Sequence, residues 1–206
     1  MNPRDAYARL LKLGSPVLET SDVASALRMS TDAASMLLTR LGKSGLATRI
    51  RKGTWLVGTP TIDRYAIVEA VTSPMPSYIS LHTALYQRGM VEQIPSVIYA
   101  VSLAKTQRIT TSLGVYSIHH IAPELFDGFE VRRDGTKLAI PEKALFDMAY
   151  FSSARSRLFA RIPELELPRG FRETKLRAWV ERIPAIRRRA MVRRRVASML
   201  DTADVS

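Results

Sequence analysis

Along the first sixty residues, apolar positions recur at helical spacing in three stretches and at strand spacing in two. Tyr7, Leu10, Leu11 and Leu13 predict a first amphipathic helix, opened by Pro3 and ended by Gly14. After the short segment Ser15 to Thr20, Ser21 reads as the N-cap of a brief helix carrying Val23, Ala24 and Leu27. Ser30 reads as the N-cap of a third helix from Thr31 to about Lys43. In that third helix Ala34, Leu37, Leu38 and Leu41 stand at i, i+3, i+4 and i+7, which makes them the buried stripe. The opposite face then presents Asp32, Met36, Thr39 and Lys43, flanked by Ser35 and Arg40. Gly45 ends the helix, and Leu46 to Arg51 with Thr54 to Val57 read as two short strands joined at Lys52 and Gly53.

Beyond these strands, Pro60, Pro74 and Pro76 punctuate the chain around a short helix from about Asp63 to Val71. Ser77 to Gly89 predicts a helix with Tyr78, Leu81, Ala84 and Leu85 inward. Val97 to Leu103 predicts a buried strand and Val115 to Ile121 another. Phe129 to Arg133 and Thr136 to Ile140 flank Asp134-Gly135, a strong hairpin signal. Pro141 then opens a helix with Glu142 in its first turn and Ala144, Leu145, Met148 and Ala149 on its apolar face. From Arg172 to Leu200 the pattern is helical, broken near Pro184, with Leu176, Trp179, Val180 and Ile183 in one stripe and Ile186, Val196, Met199 and Leu200 in the next. The expected fold class is α+β: an N-terminal winged helix-turn-helix over residues 1–60, then a mixed α+β domain over 61–206 with a helical, arginine-rich C-terminus.

Charge sharpens this picture. The 206 residues carry a net charge of +12, distributed as +5 over residues 1–58, −1 over 59–152 and +8 over 153–206. Such a balance favours polyanionic partners. No stretch approaches the roughly 18 uninterrupted apolar residues that span a bilayer, the chain has no cysteine, and the N-terminus has no long apolar run, so a cytoplasmic protein without a membrane partner is expected.

Helix order, capping and charge together point to double-stranded DNA. Ser30, Thr31, Ser35, Met36, Thr39, Arg40 and Lys43 would face the major groove, and Arg49, Arg51 and Lys52 with Thr54 would lie along the phosphate backbone. Trp55 is better suited to packing the hairpin onto the helices than to stacking on a base. The same fold also serves protein docking, but the basic hairpin speaks for nucleic acid. Arg187, Arg188, Arg189, Arg193, Arg194 and Arg195 form a second cationic cluster suited to DNA or an acidic partner, with a solvated face as the plainer alternative.

Catalytic signatures are scarce. His82, His119 and His120 have no zinc-ligand spacing, and the glycines form no phosphate-binding motif, so neither a metal nor a nucleotide cofactor is expected. The enzymatic alternative is a metal-dependent nuclease using Asp134, Glu142 and Asp147 near Lys143. Its spacing is wrong, because Glu142 and Lys143 are adjacent and Asp134 suits the hairpin turn. Asp147 is otherwise explained by solvent or a salt bridge.

The basic hairpin after three helices, the segment YISLHTALYQRGM (Tyr78 to Met90) and the passage TKLAIPEKALFDMAY (Thr136 to Tyr150) together resemble the AbiEi antitoxins of type IV abortive-infection toxin-antitoxin systems. The most specific piece is Pro141-Glu142-Lys143-Ala144-Leu145 with Asp147, and the resemblance extends to about Tyr150. It implies a repressor that binds inverted DNA repeats in its own operon while its second domain counteracts a nucleotidyltransferase-like toxin. A stand-alone winged-helix regulator with a dimerisation or effector domain is the alternative.

Overall fold

The computed structural model describes residues 2–58, 63–152 and 164–205. The first block contains α1 (Pro3–Leu11), β1 (Val17–Glu19), α2 (Thr20–Leu27), α3 (Thr31–Lys43), β2 (Ala47–Arg51) and β3 (Thr54–Val57). The strands form an antiparallel sheet in the order β1-β3-β2. Ser30 caps α3 as its sequence implies, its Oγ accepting from the Ala33 amide at 3.2 Å, and the stripe Ala34, Leu37, Leu38 and Leu41 is buried.

Two expectations for the first block fail. In α1 the buried residues are Ala6 and Leu10, while Leu11 and Leu13 stay about half exposed, because the helix touches its neighbours along one narrow line. Helix α2 begins at Thr20 with Glu19 as N-cap, not Ser21. Strand β1 pairs with β3 as far as Glu19, and the Thr20 amide and hydroxyl both donate to the Gly53 carbonyl, at 2.8 and 3.0 Å. The chain therefore passes from strand to helix with no residue between.

The remainder is a mixed α+β arrangement. It comprises α4 (Val68–Thr72), β4 (Ser77–Ile79), α5 (Leu81–Gln87), β5 (Val97–Ser102), β6 (Gln107–Thr111), β7 (Gly114–His120), a 3-10 turn (Pro123–Leu125), β8 (Phe129–Val131), β9 (Lys137–Ala139) and α6 (Pro141–Ser152). Then come β10 (Leu165–Leu167), α7 (Glu173–Glu181), α8 (Ile186–Asp201) and β11 (Ala203–Val205). Six strands run in the order β6-β7-β5-β4-β9-β8, and β10 pairs with β11. Pro60 lies outside the described residues. The helix expected from Asp63 starts only at Val68, and Ser77 to Ile79, expected to be helical, is a strand pairing with β5 and β9. Leu81, at φ +54°, marks the switch from that strand into α5.

Helix α6 departs most from its pattern. An apolar face was expected, yet every residue from Glu142 to Tyr150 is buried. The Lys143 ammonium donates to the Leu125 carbonyl and to Asp147 Oδ1, each at 2.8 Å, and the other Asp147 oxygen accepts from the Tyr78 hydroxyl at 2.9 Å and Ser80 Oγ at 2.7 Å. Lys143 Nζ also sits 4.5 Å from the Phe146 ring centroid and 5.6 Å from that of Trp179. Burial pushes the Asp147 carboxyl up and the Lys143 amine down from their ordinary values, and each group pulls the other back. Gly128 (φ +76°) makes room: a Cβ there would meet Trp179 Cζ2 at 2.5 Å and Lys143 Cγ at 2.9 Å.

Removing one charge leaves the other buried and unpaired, the costly case for buried ions. Lys143→Met should lower the unfolding free energy by about 3–5 kcal/mol, and adding Asp147→Leu should recover part of the loss, both read by urea denaturation. A single variant as stable as the parent would contradict the role given to this pair.

Candidate nucleic-acid interface

Helices α2 and α3 are joined by three residues whose conformations are fixed locally. Arg28 closes α2 in the left-handed region (φ 51°), the Met29 amide reaches back to the Ala24 carbonyl at 3.0 Å, and Ser30 starts α3. Helix α3 packs on α1, α2 and β2. Its inward stripe holds it rigidly, so its outward residues are set by the same geometry. Thr31, Asp32, Ser35, Met36, Thr39, Arg40 and Lys43 are all exposed. Thr39 donates its hydroxyl hydrogen to the Ser35 carbonyl at 2.8 Å, which leaves its methyl and lone pairs for a partner. Ser30 is exposed too, and its Oγ, which accepts from the Ala33 amide, keeps its hydroxyl hydrogen to donate.

The hairpin supplies less free charge than its composition implies. Arg49 and Lys52 are exposed, with the Arg49 guanidinium 5.8 Å from the Trp55 ring centroid. Trp55 itself is buried in the core shared with α1 to α3, and a Cβ on Gly42 of α3 would already touch it at 3.4 Å. Arg51, expected on phosphate, bonds Glu19 Oε1 at 3.2 Å and the Ser73 carbonyl at 3.1 Å. Thr54, also expected at the interface, is fully buried and donates to Glu19 Oε1 at 2.8 Å. Both are drawn inward because Glu19, paired with Thr54 in the sheet register, presents a carboxylate that needs donors.

Arginines of the C-terminal cluster are likewise partly committed. Arg188 lies 3.8 Å over the Tyr150 ring. Arg189 Nε donates to the Ile183 carbonyl at 2.9 Å, Arg193 pairs with Glu181 at 2.7 Å, and Arg195 Nε donates to Ser152 Oγ at 3.2 Å. These four bind α8 to α6 and α7. Arg187 and Arg194 are exposed, as is Ile186, at 79%, although its place in the apolar stripe predicted burial.

Residues of the nuclease alternative are dispersed. Asp134 sits in the exposed turn and accepts from the Thr136 amide at 2.9 Å, Glu142 accepts from the Arg172 amide at 3.0 Å, and Asp147 is taken by its buried partners. Among the described residues no three His, Asp or Glu side chains converge as metal ligands. His119 is buried and His120 exposed, on opposite faces of β7, and burial holds His119 down at about 4.

Two contributors escaped the sequence pattern. Arg28 adds an exposed cation at the turn before α3, where a capping glycine would be the usual signal. Glu19 organises Arg51 and Thr54, which no local spacing reveals. No helix among the described residues is long and apolar enough to cross a membrane. Compared with known proteins, the chain matches no family model and no curated protein.

Arg51 thus ties the hairpin to Glu19 and Ser73 with about 32% of its side chain still open. Arg51→Ala should lower the unfolding free energy by about 1–2 kcal/mol, measured by urea denaturation, and an unchanged midpoint would return the residue to the surface.

Proposed function

We propose that this chain is a DNA-binding transcriptional regulator whose first sixty residues act as a winged helix-turn-helix. One observation carries the reading: α3 is anchored by a fully buried stripe while its opposite face offers only exposed groups, among them Ser35, Thr39, Arg40 and Lys43. A rigid helix with short polar side chains at its centre and cations toward its end suits a major groove, where the short groups meet base edges and the cations meet phosphate. Arg28 before the helix, and Arg49 and Lys52 on the hairpin, continue the positive margin along the backbone. The second α+β portion is the seat of the antitoxin activity that resemblance to the AbiEi type suggests, counteracting a nucleotidyltransferase-like toxin while the N-terminal portion represses the shared operon in the cytoplasm.

Fluorescence anisotropy with the DNA immediately upstream of the chain's own coding sequence, against a scrambled duplex and across a salt series, tests the reading. Tighter binding to the native duplex is expected. Replacing Arg49 and Lys52 with alanine should weaken binding to both duplexes alike and reduce the slope of log affinity against log salt by up to about 0.9 per lost phosphate contact. Equal affinity for the two duplexes would leave a non-specific or protein-docking module.

A further inference from the structure

Met36 is the one large apolar side chain exposed on α3, with 66% of its surface open. It lies at the centre of the outward face: Asp32 stands one turn before it, Thr39 one turn after, and Lys43 two turns after. Its flanks, Ser35 and Arg40, are polar and exposed. The core has no use for it, since the buried stripe Ala34, Leu37, Leu38 and Leu41 is on the far side. Nor does it belong to an apolar patch of the size that docks a protein, because every exposed neighbour on this face is polar or charged.

Thr39 extends the same apolar spot. Its hydroxyl hydrogen is engaged with the Ser35 carbonyl at 2.8 Å, which leaves its oxygen to accept and its methyl to stand beside Met36 at i+3. A small apolar spot framed by hydrogen-bonding and cationic groups has one counterpart in a major groove. Of the four bases only thymine places a methyl group there, between polar edges that the surrounding side chains can satisfy.

We infer that Met36, together with the Thr39 methyl, reads the C5-methyl groups of thymine, so that the half-site bound by α3 contains thymine opposite the centre of the helix. This rests on the DNA-binding reading above and adds to it the base chemistry that sets specificity. Asp32, Arg40 and Lys43 then fix the register on either side, and the thioether's flexibility lets one side chain cover the methyls of adjacent thymines.

The test removes the methyl without touching any hydrogen bond. A duplex enriched by this protein from a random-sequence pool is remade with deoxyuridine in place of thymidine, and the affinities of both forms are measured for the parent and for Met36→Ala. Alanine on an exposed helical position leaves folding intact. The parent should bind the deoxyuridine duplex about fourfold more weakly for each methyl that Met36 covers, the worth of one buried methyl, and Met36→Ala should lose that share of the preference and keep only what the Thr39 methyl supplies. Met36→Leu, which keeps an apolar tip, should keep the preference. Parent protein that binds both forms equally, or Met36→Ala that discriminates as the parent does, overturns the inference while leaving DNA binding intact. A pool that yields no enriched sequence overturns the DNA-binding reading itself, and this inference with it.

Discussion

Strand β3 has no face to give to solvent, and this constraint organises the molecule. Thr54, Trp55, Leu56 and Val57 are all buried. Trp55 and Val57 belong to the core under α1 to α3, whereas Leu56, with Ile50 from β2, joins the larger core of the second α+β portion. Alternation along an extended chain sends neighbouring side chains to opposite faces, so the three consecutive residues Trp55, Leu56 and Val57 serve two cores. The hairpin that a winged-helix reading leaves free as a wing is here a wall between two packed bodies. Its arginines divide accordingly: Arg51 turns inward to Glu19 and Ser73, and Arg49 and Lys52 stay outside. The same wall supports α3, because Trp55 packs so close to Gly42 that a Cβ there would lie 3.4 Å from its ring.

A second constraint governs the far side. Lys143 and Asp147 face each other on α6, both fully buried; Tyr78 and Ser80 of the β4 region donate to the carboxylate and the carbonyl of Leu125 accepts from the ammonium. Such a pair adds little net stability over an apolar substitute but tolerates few arrangements, so it fixes how strand, turn and helix meet. Trp179 of α7 covers it and donates to Asp127 at 2.6 Å, and Asp127 also accepts from Arg182. Of the residues that the nuclease alternative names, Asp147 and Lys143 are thus bonded to each other and to their buried neighbours.

Much of α3 was legible from residues alone, because its cap, its stripe and its polar face all follow a single period. The failures share a cause: long-range contacts that local patterns do not encode. Ser77 to Ile79 reads as helix until β5 and β9 claim its backbone. Strands β1 and β6 are too short or too polar to announce themselves, and each exists through the partner beside it. Charge is legible as composition but not as pairing: Glu19, Tyr150 and the Ile183 carbonyl engage the half-buried Arg51, Arg188 and Arg189, and Glu181 pairs with the exposed Arg193.

The chain's eight methionines offer a direct test of the claim that α3 is the surface that meets DNA. Met36 on α3, Met191 on α8 and Met75 before β4 are all exposed, at 66%, 52% and 46%, and each carries a methyl visible by NMR in protein labelled at methionine. On titration with the upstream duplex, the Met36 signal is expected to shift while those of Met191 and Met75 stay in place. A shift confined to Met191, with Met36 unmoved, would move DNA binding from α3 to the arginine-bearing helix α8.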